Sequence, residues 1–250
     1  MEQLINPGKW TIEELDRIIN EASEIKEAGK RIEFLSRIFL NVSYEGSTLI
    51  GNLTTPEVFV INLEKVDCFT LIDYVEAMRL SSSISGFTEN LRRIRYHSGN
   101  VSYESRNHFF TDWIENNSEF VEDITDLIGE YRTIHIIKKL NCKKDGTYII
   151  QGIKSIEREI KYIPASAIDE VVTERLMTGD YVGIYSDEEG LDVSHVGIII
   201  RTEDIIYIRH ASSRSNARKV IDEDFMGYIA NKPGVIILRP NQISSQEGGL

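Results

Sequence analysis

Cysteine is scarce: Cys68 and Cys142 are the only two in 250 residues. That is too few for a disulfide framework, and a chain of this length can bury a core without one. Each thiol therefore has to be judged by its own surroundings. Long apolar runs are also missing. The best, Val196-Gly197-Ile198-Ile199-Ile200, is strand-sized, against the ~18 residues that a membrane span requires. The opening residues, MEQLINPGKW, contain no basic n-region, apolar h-region or cleavage site. Nothing in them reads as a secretory signal, and the expectation is a cytoplasmic protein, or a periplasmic one if a leader has been removed.

An excess of basic residues is absent too. The 28 Lys and Arg face 40 Asp and Glu, a net charge of −12, and that global repulsion argues against nucleic acid or an anionic membrane surface as partner. The chain lacks repeats, low-complexity tracts and short-spaced metal-ligand pairs of the C-x-x-C or H-x-x-x-H kind. No cofactor or metal is expected, and a monomer is expected. What is present is 41% hydrophobic residues, which excludes disorder for the bulk of the chain. One domain over residues 1–240 is expected, with an N-terminal helical extension over about 1–40 and a polar tail at 241–250.

Thr11-Ile12-Glu13-Glu14 has capping-box spacing, and Ile12, Leu15, Ile18, Ile19 and Ala22 follow at helical intervals until Gly29. This predicts an amphipathic helix stopped by the glycine. A second helical stretch covers residues 32–39, and residues 58–63 read as a strand. From Cys68 to Leu80 the apolar positions Leu71, Ile72, Val75 and Met78 suit one helix face, with Asp67 as a favoured N-cap. Residues 87–117 read as helical and irregular, with Phe109, Phe110, Trp113 and Ile114 as an aromatic cluster expected in the core. Short strands follow at 133–140, 148–151, 180–185, 196–201, 205–209 and 235–238. Helices first and strands afterwards predict an α+β domain, its helices packed on a central antiparallel sheet.

A cysteine in the first turn of a helix faces unpaired N–H groups and the positive end of the dipole, which favour a thiolate. Cys68 has that position; a buried, inert thiol is the plain alternative. His195 opens the strand His195-Val196-Gly197 and His210 closes the next one in Arg209-His210-Ala211. Antiparallel pairing through a turn at Thr202-Glu203-Asp204 would make the histidines neighbours. A thiol nucleophile, a base and a group orienting the base would then be together. The same three residues could instead form a Cys-His-His zinc set with an open position. His97 and His135 have no patterned partner, and Cys142 lies at a hairpin-turn signal as a bystander.

The order of these pieces resembles the NlpC-type, papain-like cell-wall amidases. The resemblance runs from Tyr44-Glu45-Gly46 through Asp67-Cys68, Gly179-Asp180 and His195-Val196-Gly197 to His210-Ala211. It implies a papain-like fold with Cys68 as nucleophile, His195 as base and His210 as third catalytic residue. Many endopeptidases of that superfamily follow Asp-Cys with Ser-Gly to hold a peptide amino terminus, whereas Phe69-Thr70 stands here. With the 66–70 and 105–113 segments and the closing Ile237-Leu238-Arg239-Pro240, the pattern is more similar to the N-acetylmuramoyl-L-alanine amidase-like branch. That likeness implies a muropeptide or peptidoglycan substrate, cut between the lactyl group of the sugar and L-alanine. It also implies that Tyr44 and Asp67 border the substrate; Arg106 and His108 are candidates for contacts to carboxylates or sugar hydroxyls, with an ordinary ion pair the alternative for Arg106. A stem-peptide endopeptidase or a non-catalytic muropeptide-binding module remains open.

Overall fold

The computed structural model describes residues 3–242, so most of the expected polar tail lies outside the described residues. In chain order the elements of the first half are β1 (Gln3–Asn6), α1 (Ile12–Ser23), α2 (Ala28–Arg37), β2 (Ser43–Tyr44), β3 (Ile50–Asn52), β4 (Thr55–Asn62), β5 (Lys65–Val66), α3 (Cys68–Arg79), α4 (Ile84–Arg95) and α5 (Phe110–Asn116). The second half supplies β6 (Val121–Asp123), α6 (Thr125–Gly129), β7 (Ile134–Leu140), β8 (Ile156–Pro164), α7 (Glu170–Arg175), β9 (Tyr181–Tyr185), β10 (Val193–Arg201), β11 (Ile206–Ser212), β12 (Lys219–Asp224), α8 (Phe225–Ile229) and β13 (Gly234–Pro240).

The large sheet runs β5-β2-β12-β11-β10-β9-β13-β8-β7, with β6 also paired to β13. All its pairings are antiparallel except β2 with β5. A small second sheet has the order β1-β4-β3. Alternation along the central strands divides the interior in two. Tyr181, Tyr185, Ile198, Ile200, Ile236 and Leu238 pack with α1 to α5. Val182, Ile184, Ile199, Val235 and Ile237 pack with α6, α7 and α8. The α+β class expected from the sequence is the one found, but helices cover both faces of the sheet. Leu15, Ile19, Ile32 and Leu35 of α1 and α2 belong to the same core as α3.

Three local expectations are corrected. Gly29 does not stop α1, which ends at Ser23; it lies inside α2. A Cβ there would lie 2.0 Å from the carbonyl oxygen of Thr178, so the glycine serves the close packing of α2 on the turn before β9. Residues 148–151 form no strand, only a bridge between Cys142 and Tyr148. The buried Asn141 side chain captures the backbone instead, receiving Ile150 N–H at 2.6 Å and donating to Ile150 O at 2.9 Å. Conversely β8 and β12 are strands that propensity did not reveal. Their sequences, IEREIKYIP and KVIDED, are rich in charge, and pairing with β7 and β11 overrides that preference.

Candidate active site

Asp67 begins α3 as its N-cap. Its Oδ1 accepts from Thr70 N–H at 2.7 Å and from the Thr70 hydroxyl at 2.8 Å, while Asp67 N–H donates to Thr70 Oγ1 at 2.9 Å. Thr70 thus fills the reciprocal place of the capping box. Beyond its first turn α3 is buried on every side, and its charged groups are internally satisfied. Asp73 receives Arg95 Nε at 2.8 Å and Trp113 Nε1 at 3.1 Å; Glu76 receives Arg79 Nε and the Tyr181 hydroxyl, each at 2.8 Å. Cys68 therefore stands on a helix with little freedom to move. Trp113, wholly buried and bonded to Asp73, belongs to the core as expected.

β10 and β11 pair antiparallel with Ile198 opposite Arg209. One step further puts His210 beside Gly197 and leaves His195 diagonal to it, within reach on a sheet. His195 Nε2 and His210 Nδ1 are 2.8 Å apart, and His210 Nε2 lies 3.2 Å from Glu223 Oε2. Glu223 also accepts a hydrogen bond from Arg214. A carboxylate only accepts, so the His210 proton belongs on Nε2 and its Nδ1 accepts from His195 Nε2–H. His195 Nδ1 is then left as an unprotonated base. His195 and Cys68 line one small cavity of about 110 Å³ together with Phe69, His108 and Asp192.

The electrostatics correct one expectation. Burial pushes the Cys68 thiol up to about 12, with help from the Asp67 charge. The N–H groups of Val196, Cys68 and Phe69 oppose this without reversing it. Burial outweighs the helix start, and the N-cap carboxylate beside the sulfur adds to it. Burial likewise holds His195 down to about 3, aided by the charges of His210, Lys232 and Arg214. His210 is held at about 4 by burial and Arg214. Both shifts favour the neutral forms of the thiol and of the imidazole that shares its cavity.

Of the other sequence-derived residues, Asp67, Arg106 and His108 line a cleft of about 620 Å³ that adjoins the cysteine cavity through His108. Tyr44 pairs with Val66 across β2 and β5. Burial, followed by Cys68 and Asp67, raises its phenol, so it stands beside Cys68. Arg106 is not free for a substrate carboxylate. Its Nε donates to Glu57 Oε1 at 3.0 Å and its Nη2 to Glu57 Oε2, with the Glu57 side chain only 2% exposed. The ion-pair alternative holds for Arg106. His108 Nε2–H donates to Tyr103 O at 2.7 Å, and burial lowers its pKa. His97 bonds Asn116, and His135 bonds Asp126 at the surface, both away from the cavity.

Sequence reasoning missed Glu223, Arg214, Tyr228 and Lys232. The signal for Glu223 was available only with β12 recognised, since Ile221 opposite His210 puts Glu223 on the diagonal. The zinc alternative loses support from geometry: the facing nitrogens of His195 and His210 bond each other. Among the described residues no group of three or more His, Cys, Asp and Glu is arranged to hold a metal ion.

A family model described as AmiA-like, N-acetylmuramoyl-L-alanine amidase-like, matches residues 34–235. No curated protein matches the chain. Among solved structures, an N-acetylmuramoyl-L-alanine amidase from Bacteroides uniformis is 27% identical, covering 86% of this chain and 99% of that one, with a TM-score of 0.69. A Legionella pneumophila protein of family DUF1460 is 21% identical over 92% of this chain and 94% of that one, with a TM-score of 0.77, a likeness of fold. A Bacteroides fragilis protein with a provisional xylanase name is 25% identical over 82% and 98%, with a TM-score of 0.65. The family match spans Cys68, His195, His210 and Glu223 alike, and so takes in every residue of the hydrogen-bonded cluster and the cysteine beside it. The chain belongs to the AmiA-like, N-acetylmuramoyl-L-alanine amidase-like family.

Proposed function

We propose that the protein is a cysteine amidase of the papain-like, NlpC-type architecture that hydrolyses the amide between N-acetylmuramic acid and L-alanine in muropeptides. The observation that carries this reading is the chain Glu223–His210–His195, which leaves His195 Nδ1 as a base in the cavity it shares with Cys68. Membership of the amidase-like family and the likeness to the Bacteroides uniformis enzyme support the choice of bond.

Because thiol and imidazole are both neutral at rest, proton transfer accompanies attack. As Cys68 Sγ bonds to the lactyl carbonyl carbon, its proton passes to His195 Nδ1. The oxyanion is met by the Cys68 N–H at the start of α3 and a nearby donor. Imidazolium, transiently stabilised through His210 and Glu223, then protonates the alanine nitrogen. The C–N bond breaks and a thioester remains. Water attacks the thioester, gives its proton to His195, and the returning proton restores the thiol. The net acidic charge of −12 suits small soluble fragments better than anionic wall polymers. A glycosidase reading finds little support, because carboxylates lining these cavities are committed: Asp67 caps α3, Asp192 accepts from the Thr111 N–H and hydroxyl, and Glu223 serves His210 and Arg214.

The test is N-acetylmuramoyl-L-alanyl-D-isoglutamine incubated with wild type and with Cys68→Ala, products followed by mass spectrometry. Wild type should release N-acetylmuramic acid and the dipeptide, and the variant neither. Equal release by both proteins would remove Cys68 from the mechanism.

A further inference from the structure

A second cavity of about 420 Å³ also borders His195, with His210, Arg214, Glu223, Tyr228 and Lys232 in its walls. Its charge sets it apart. Lys232 Nζ sits 5.4 Å from the Tyr228 ring and forms no ion pair among the described residues, while Arg214 shares Glu223 with His210. With Glu223 set against Arg214, the exposed Lys232 leaves this cavity one excess positive charge in a protein that is acidic overall.

Chemistry gives this cavity a direction. His195 has to hand a proton to the departing nitrogen, so the leaving group passes over the His195 side of Cys68. The acyl side then lies toward the cleft of about 620 Å³ beyond Asp67, whose one arginine, Arg106, is already neutralised by Glu57. We infer that the Arg214 and Lys232 cavity is the subsite for the stem peptide leaving group and takes its free carboxylate, while the sugar lies over Asp67 and Arg106. The inference rests on the amidase reading above and adds which end of the substrate goes where.

Calorimetric titration of L-alanyl-D-glutamate and of its neutral diamide into wild type and Lys232→Glu tests the subsite without requiring turnover. Wild type should bind the acid about tenfold more tightly than the diamide, and Lys232→Glu should remove that preference while binding the diamide as before. Lys232→Met, which carries no new charge, should give an intermediate result. Equal affinity of wild type for acid and diamide, or equal loss of both in Lys232→Glu, would overturn the assignment. Cleavage of N-acetylmuramoyl-L-alanyl-D-isoglutamine by wild type is read in parallel. If cleavage is absent while the acid preference and its loss are seen, the amidase reading falls and the carboxylate site stands.

Discussion

At Cys68 two neighbours act against each other. The N–H groups at the start of α3 favour a thiolate, while burial and the Asp67 carboxylate oppose it and prevail. Alkylation of Cys68 by iodoacetamide should therefore be slow through neutral pH and should quicken only as pH climbs toward about 12. A fast reaction, level between pH 5 and 8, would reveal a preformed thiolate and imidazolium pair. Glu223 acts through His210, as a positioning residue. Glu223→Gln offers His210 an amide in place of a carboxylate and removes the charge that stabilises a transient imidazolium. We expect kcat to fall by roughly 10- to 100-fold with KM little changed, an effect of the size general acid–base assistance provides. A change confined to KM would give Glu223 a role in substrate contact instead.

At the scale of elements, the site depends on how α2 and α3 are seated. Gly29 of α2 meets the Thr178–Gly179 turn, where Gly179 has φ +94° and its own added Cβ would lie 2.5 Å from Gly29 Cα. Backbone meets backbone here, so neither partner can swing aside. Gly29→Ala should destabilise the protein by about 1–3 kcal/mol despite the better helix propensity of alanine, as overpacking commonly does. Urea midpoints measure this, and a stabilised variant would show that α2 shifts freely. Sequence patterning read α3 well, from Asp67 through the apolar face, because capping and helical periodicity are local. It read Gly29 as a helix stop because the contact that explains it comes from a turn about 150 residues away in the chain.

For the whole molecule, burial of two neutral imidazoles links folding to protons. His195 and His210 are held at about 3 and about 4, below the 6.5 of a free side chain. Between those limits the unfolded chain binds more protons than the folded one. The stability that the pair contributes is fully present above pH ~6.5 and is lost as pH falls toward 3 to 4. Urea denaturation at pH 7 and pH 4.5 should show a smaller loss for His210→Gln than for wild type. Equal losses would mean that the fold accepts the protons without penalty.

The molecule also separates what each level of description can hold. The sequence by itself determined the α+β class, the helix start at Asp67-Cys68, and the neighbouring of His195 and His210, since these follow from short-range periodicity and a single hairpin turn. Only the tertiary structure decided that Arg106 is spent on Glu57, that Glu223 completes the histidine chain, that burial raises the thiol pKa despite the helix start, and that Lys232 and Arg214 line a cavity beside His195. Each of these depends on desolvation or on partners distant in the chain, and neither burial nor long-range pairing is written in the local pattern of residues.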